Sequence, residues 1–133
     1  MNRKRRQRGA GTIEFGLAFL LFFALICAVM EFGRIVASYN ILAGATREGV
    51  RYATVHGSAS GSAATSGDIQ NTVRRWAIGL DSSSVLVTTT WSPGNAPGNR
   101  VKVQSQYAIL PFTRLVVKNS ITLRSSSEMV ISQ

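Results

Sequence analysis

The sequence predicts an α+β protein in which a long N-terminal helix is followed by a small antiparallel sheet. Sixteen uncharged, mostly apolar residues run from Phe15 to Met30, and helical spacing of apolar residues continues without proline to about residue 55. The spacing then changes to alternation in SVLVTTTW, residues 84–91, and in RVKVQSQYAI, residues 100–109. A small sheet needs cover for its apolar face, and the helix supplies it.

A basic tail, residues 1–9, precedes the apolar run. It contains five of the fifteen basic residues of the chain: Arg3, Lys4, Arg5, Arg6 and Arg8. Lys and Arg beside a first membrane segment hold that side in the cytoplasm. The stretch from Ile13 to Phe32 corresponds to about 30 Å of helix, the thickness of a bilayer's hydrocarbon core. We therefore expect one pass through the cytoplasmic (inner) membrane, with the tail in the cytoplasm and the C-terminal domain exported.

Such a tail and apolar run are also typical of a cleavable signal peptide. The end of the apolar run does not fit a signal-peptide cleavage site. Ile26 occupies a position that needs a small residue, and Glu31 follows almost at once. A lipoprotein signal needs a small residue before its cysteine, whereas Ile26 precedes Cys27. In a twin-arginine signal, apolar residues follow the two arginines, but none follows Arg5 and Arg6 directly. We expect the helix to remain as an anchor.

Every fourth position in the second half of the long helix, which is predicted over residues 10–55, is occupied mostly by small residues. The stripe consists of Gly33, Ala37, Ile41, Ala45, Gly49 and Ala53. It would let another helix or a sheet approach the backbone closely, as in membrane interfaces. Packing in the protein's own core explains it equally well, so both interpretations stay open. Glu48 lies three residues before Arg51, which predicts a local ion pair.

Residues 56–67 are predicted to be a flexible linker, because they are rich in Gly, Ser and Ala. Asp68 or Ser66 is placed to cap a helix over about residues 68–79. The apolar stripe of this helix includes Trp76, which we expect in the core.

The predicted small exported domain covers residues 68–133. Its strands are expected at residues 84–91, 100–109 and 120–132. The first two flank the turn-rich SPGNAPGN and therefore form a hairpin. PFTRLVV, before the third strand, is expected to form a turn or short helix.

The composition argues against several functions. Cys27 is the single cysteine, so neither an internal disulfide nor a Cys/His metal cluster can form. The tail supplies five of the nine net positive charges, and the other basic residues are scattered without a nucleic-acid-binding motif. We expect no metal, no cofactor and no nucleic-acid partner.

Catalysis is not indicated either. His56, the single histidine, lies beside the linker and is predicted to be an exposed loop residue. The acids Asp68, Asp81 and Glu128 are far apart in sequence and fit a cap, a turn and a surface position. No phosphate loop, metal-spaced set or nucleophile motif occurs. We expect no enzymatic activity and no catalytic residue.

Four motifs of the N-terminal region occur in register. They are Gly9 after the basic stretch, Glu14-Phe15, the element Glu31-Phe32-Gly33-Arg34, and the segment Thr46 to Ala53 with Arg47, Glu48, Gly49, Arg51 and Tyr52. Over residues 6–53 this arrangement resembles the TadE-like pseudopilins of tight-adherence (Flp) pilus systems. The fold implied by the resemblance is pilin-like.

The resemblance implies cleavage between Gly9 and Ala10 by a prepilin peptidase, an intramembrane aspartate protease. Ala10 is a small residue, which the tight-adherence group accepts at the new N-terminus. In pilin-like filaments the carboxylate at the fifth position, here Glu14, is thought to pair with the free amine of a neighbouring subunit. The alternative is a carboxylate at headgroup level without a partner.

The function implied is that of a minor pseudopilin in pilus assembly. Its partners would be the peptidase, other pilin or pseudopilin subunits, the assembly platform and the membrane. One alternative is an unprocessed, signal-anchored envelope protein whose exported domain binds a partner. A further alternative, a DNA-uptake pseudopilin, requires a localised basic patch on the sheet face.

Overall fold

The computed structural model describes the backbone of residues 3–111 and 119–132 and the side chains of residues 9–111 and 119–132. The described elements are α1 (Arg3–Val55), α2 (Ser66–Trp76), β1 (Val85–Ser92), β2 (Arg100–Ile109) and β3 (Ile121–Val130), with a 3-10 turn at Ser82–Ser84. The predicted α+β fold is confirmed. The turn or short helix expected at PFTRLVV lies outside the described residues, apart from Pro111.

The chain divides into two compact units, Met1–Arg34 (the first unit) and Ile35–Gln133 (the second unit). Helix α1 begins at Arg3, inside the basic tail, rather than at residue 10. Arg, Lys and Gln are good helix formers, so nothing in the tail opposes extension of the helix. Within the described residues, one helical stretch is long and apolar enough to cross a membrane, Gly9–Val55. Its length and composition fit a single-pass membrane anchor.

The apolar side chains of the first unit are exposed on every side of α1. Three of them, Phe15, Phe19 and Phe23, stack one above the next, with 6.4 Å between successive ring centroids. An apolar surface of this extent without protein cover is unfavourable in water and suits a lipid environment.

The second unit contains the sheet, with strand order β1-β2-β3 and antiparallel pairing throughout. Val85 pairs with Tyr107 and Ser92 with Arg100, so β1 and β2 form the expected hairpin. Strand β2 alternates between buried and exposed residues from Arg100 to Ser105. The sheet therefore has one face toward the core and one toward solvent.

The core of the second unit lies between this sheet, α2 and the second half of α1. Leu42 and Val50 of α1 are fully buried, as are Ile69 and Val73 of α2. The other buried apolar residues are Ala45, Ala53, Ala64, Ala77, Val85, Val101, Val103, Ile109, Leu123 and Ile131. This packing holds α1 and α2 at a fixed separation.

The segment after α1, which the sequence predicts to be a flexible linker, makes one hydrogen bond to a distant loop and one that closes the segment on itself. The amide of Ser58 donates to the carbonyl of Asn95 at 2.8 Å, and the amide of Ala64 donates to the carbonyl of His56 at 2.7 Å. Ala64 is buried. These contacts are not visible in the composition, on which the prediction of flexibility rests.

Helix α2 begins earlier than predicted, at Ser66, because its N-cap is Thr65 and not Asp68 or Ser66. The Thr65 hydroxyl accepts from the Asp68 amide at 3.2 Å, and the Asp68 carboxylate accepts from the Thr65 amide at 3.0 Å. This reciprocal arrangement is a capping box. The helix ends at Trp76 rather than at residue 79, and Gly79 follows with a φ of +90° that favours glycine.

Two of the strands are displaced slightly from their predicted ends. Ser84 belongs to the 3-10 turn, so β1 begins at Val85. Strand β3 covers Ile121–Val130 rather than residues 120–132. Beyond Val130 the Ile131 amide still donates to the Asn99 carbonyl at 2.8 Å, and the next amide, that of Ser132, donates to the Thr54 carbonyl of α1 at 3.0 Å.

Candidate functional site

The four N-terminal motifs all lie on α1, but they are divided between the two units. Gly9, Ala10, Glu14 and Phe15 are in the first unit and are exposed. A Cβ built at Gly9 would meet no atom within 4 Å. The Glu14 carboxylate has no hydrogen-bond or ion-pair partner that the described part of the chain supplies. These four residues are therefore open to another molecule.

The Glu31-Phe32-Gly33-Arg34 element ends the first unit. Arg34 Nη2 donates to Glu31 Oε1 at 2.6 Å, a charge-assisted hydrogen bond across one helical turn. Phe32 is exposed, and a Cβ added at Gly33 would meet no atom within 4 Å. Pairing Glu31 with Arg34 lowers the cost of placing either charge near the end of a membrane-crossing segment.

The last motif lies in the second unit, where Gly49 faces the core. A Cβ added at Gly49 would lie 2.4 Å from Val73 Cγ2 and 3.8 Å from Val103 Cγ1. Only glycine therefore allows α1 to approach α2 this closely. The close approach places the exposed flank of α1 next to that of α2.

The small-residue stripe is thus divided between two environments. Ala45, Gly49 and Ala53 are buried in the core of the second unit, whereas Gly33 and Ala37 are exposed. Packing within the protein accounts for the buried half of the stripe. The exposed half remains available for a partner.

A groove of about 320 Å³ lies beside Gly49, between the exposed flanks of α1 and α2. It is lined by Glu48, Arg51, Tyr52, Val55, Thr72 and Trp76. Three of these six residues were singled out in the sequence as members of the N-terminal motifs. Arg47, the remaining charged residue of the last motif, is exposed.

Trp76 is 53% exposed, so its predicted place in the core is wrong. On α2 the buried face passes through Ile69 and Val73 and continues to Ala77, four residues further on. Trp76 lies one residue, or about 100°, away from Ala77. Its indole therefore lines the groove rather than filling the core.

His56 is half-buried, so its predicted exposure is also wrong. Its ring stacks on that of Tyr52 with 4.1 Å between centroids, and Nδ1 donates to the Tyr52 carbonyl at 2.9 Å. The carbonyl can only accept, so Nδ1 carries the proton. The stack fixes Tyr52 at the groove wall.

The expected ion pair between Glu48 and Arg51 is present, but it is long. Arg51 Nη1 lies 3.8 Å from Glu48 Oε2, compared with 2.6 Å in the equivalent i,i+3 pair of Arg34 and Glu31. A separation of 3.8 Å is an ion pair without a hydrogen bond. Guanidinium donors of Arg51 are consequently free to bind another acceptor.

The acids of the second unit have local structural roles. The Thr65 hydroxyl, followed by the Thr65 amide, lowers the pKa of Asp68 below its ordinary value of 3.8. Hydrogen bonds from the Ser84 and Ser83 hydroxyls, and then from the Ser83 amide, lower the pKa of Asp81 in the same way. Across the residues the structure describes, no three His, Cys, Asp or Glu side chains are close enough to hold a metal ion.

The exposed face of the sheet carries basic residues on the central strand β2 and on its neighbour β3. Lys102 pairs in register with Glu128, and Arg100 Nη1 lies 3.3 Å from Glu128 Oε1. Arg124 lies further along β3, opposite Gln106. Glu128 therefore offsets part of the positive charge where Arg100 and Lys102 meet.

A long apolar N-terminal helix followed by a small α+β unit fits the architecture of a single-pass membrane-anchored protein. Within it, residues 9–51 match the family model of the TadE-like proteins. The resemblance noted in the sequence is confirmed over this segment, which includes all the motif residues except Tyr52 and Ala53. Comparison with curated proteins and with solved structures gives no match. The family match points to a protein associated with the tight-adherence pilus.

Proposed function

We propose that this chain is a minor pseudopilin of a tight-adherence pilus. A prepilin peptidase cuts between Gly9 and Ala10, and α1 then holds the protein in the inner membrane with the second unit exported. The observation that carries the proposal is that Gly9, Glu14 and a membrane-length apolar helix occur in one family-matched segment. In this role the chain is the substrate of an enzyme and has no catalytic activity of its own.

The exposed Glu14 supports a pairing role after cleavage. Removing residues 1–9 takes away five basic side chains and creates a charged amine at Ala10. The carboxylate of Glu14 and the Ala10 amine of a neighbouring subunit attract each other strongly in a low-dielectric surrounding. An unpaired Glu14 would be costly there, so pairing favours one register between neighbours.

Cleavage is tested by the intact mass of the membrane-extracted protein, with and without the cognate peptidase. We expect loss of residues 1–9 in its presence, and Gly9→Ala should block that loss. Gly11→Ala is the matched control, because a Cβ at Gly11 also meets nothing within 4 Å. An N-terminus that stays at Met1 beside an active peptidase would contradict the proposal.

Pairing is tested separately from cleavage. Glu14→Gln removes the charge with little change in shape, so we expect normal processing but a large loss of surface pili. Glu14→Asp keeps the charge and should retain part of the assembly. Unchanged piliation in Glu14→Gln would rule out the pairing role.

The second candidate is an unprocessed, signal-anchored envelope protein whose exported unit binds a partner. The groove beside Gly49 favours it, because partner binding needs no cleavage. This function would be supported instead if the intact mass showed an N-terminus at Met1 with or without the peptidase, and if groove variants lost the function of the protein in cells.

A further inference from the structure

The groove between α1 and α2 exposes side chains of the kind that dominate binding energy in protein interfaces. Trp76, Tyr52 and Arg51 line it, and Trp, Tyr and Arg are the residue types most enriched among binding hot spots. An exposed tryptophan at the end of a short helix also lacks a role in the core. The volume of about 320 Å³ is at the lower end of ligand sites and admits one or two side chains rather than a large cofactor.

From these residues we infer that the groove binds an acidic polypeptide segment of another protein, with an apolar side chain against Trp76 and Val55 and a carboxylate on Arg51. The Arg51 guanidinium is available because its contact with Glu48, at 3.8 Å, is longer than a hydrogen bond. A bidentate carboxylate would satisfy it at a shorter distance. The inference does not depend on cleavage at Gly9.

The charge of the second unit favours an acidic partner. Its sequence contains nine basic and four acidic residues. Arg47, Arg51 and Arg75 are exposed on α1 and α2, and Arg75 adjoins Trp76. Complementary charge therefore speeds the encounter with an acidic segment and disfavours a basic one.

A second copy of the chain is poorly equipped to supply the carboxylate. Three of the four acids of the second unit are hydrogen-bonded within it, Asp68 to Thr65, Asp81 to Ser83 and Ser84, and Glu128 to Arg100, while Glu48 lines the same groove as Arg51. Glu48 also lines the groove and would repel any anionic group there, so a fitting ligand must offer hydrogen-bond donors to Glu48 as well as an acceptor to Arg51. A peptide offers both a carboxylate for Arg51 and amide donors for Glu48.

The test uses the full chain in non-ionic micelles and three fluorescein-labelled peptides. The peptides share a Leu-Phe-Leu core flanked by Glu, by Lys or by Gln, and binding is followed by fluorescence anisotropy against empty micelles. We expect saturable binding of the Glu peptide and at least tenfold weaker binding of the Lys peptide. Arg51→Ala should weaken the Glu peptide about tenfold, and Trp76→Ala should weaken all three.

Arg124→Ala is the matched control, since it removes the same charge from the exposed sheet face and should change binding less than twofold. Equal binding of the Glu and Lys peptides would overturn the proposal, as would Arg51→Ala binding like wild type. Sedimentation of the chain alone tests for a second copy. A dimer that dissociates in Arg51→Ala would identify a second copy as the occupant. Phosphatidylglycerol vesicles that compete with the Glu peptide through Arg51 would identify lipid instead. Either result would overturn the assignment to another protein.

Discussion

The two halves of α1 place similar side chains in different surroundings. In the first unit Leu20 is 62% exposed, and its apolar neighbours are exposed around the whole helix. In the second unit Leu42 is 0% exposed, and apolar side chains face one side against α2 and the sheet. The helix is the same secondary structure in both, so what differs is the medium that covers it. Lipid covers all sides of a helix, whereas a protein core covers only one.

A matched pair of leucine substitutions tests this difference most strongly. Leu42→Ala should lower the free energy of unfolding of the second unit by about 2–5 kcal/mol, because it leaves a cavity in a packed core. Leu20→Ala should leave that free energy unchanged, since no packed protein atoms surround Leu20. Urea titration of the micelle-bound chain, followed by tryptophan fluorescence, measures both. Equal effects of the two variants would show that the halves do not differ in this way.

A pair of glycine substitutions tests the close approach of α1 and α2. Gly49→Ala places a methyl group 2.4 Å from Val73 Cγ2 and should destabilise the second unit by about 1–3 kcal/mol. Gly44→Ala meets nothing within 4 Å and should stabilise the helix by about 0.5–1 kcal/mol. Thermal unfolding by circular dichroism distinguishes them. Adding Val73→Ala should rescue part of the Gly49→Ala loss, and additive effects would argue against the contact.

The capping box of α2 provides a smaller effect confined to the second unit. Thr65→Ala removes the hydroxyl that accepts from the Asp68 amide, at a cost of about 1 kcal/mol. Denaturant unfolding should show the loss, while the fraction of protein in the membrane pellet stays at the wild-type level. Thr65→Ser keeps the hydroxyl and should behave like wild type. A stability unchanged in Thr65→Ala would contradict the cap.

Acid should destabilise the second unit by protonating Asp68 of this capping box and Asp81, which caps the 3-10 turn. The pKa of Asp68 and that of Asp81 are lowered below 3.8 in the folded chain, so each carboxylate stabilises the fold above that value. The contribution is lost as the pH falls below about 4 and through the lowered pKa values. Melting temperatures measured from pH 6 to pH 2.5 should fall less steeply in Asp68→Asn than in wild type. Parallel curves would show that Asp68 does not contribute.

Local patterns in the sequence predicted the α+β class, the long helix and the residues of β2, because helical and alternating spacing are properties of neighbouring residues. They did not predict the surroundings of Trp76. Its place on α2 depends on how α1 packs through Gly49, a contact between residues far apart in the chain. The small-residue stripe signalled close packing at Gly49, but nothing in the sequence named Val73 as its partner.

The candidate site could likewise be predicted only where it depends on neighbouring residues in the sequence. Gly9, Glu14 and the Arg47–Tyr52 segment were recognisable as motifs, whereas the groove needs two helices to be brought together. The segment after α1 shows the same limit, because its composition gives no sign that the Ser58 amide donates to the distant Asn95 carbonyl. The tryptophan that follows two arginines at the end of α2 was the available signal for the groove.

The end of α1 is connected to two other parts of the second unit. The Thr54 carbonyl accepts from both the amide and the hydroxyl of Ser132, each at 3.0 Å, and Ser58 just after the helix bonds to Asn95 in the β1–β2 loop. Under tension along α1, these bonds share the load in parallel with the covalent chain. A pull on the end of the helix would thereby reach the hairpin and the C-terminal segment together rather than the covalent chain alone.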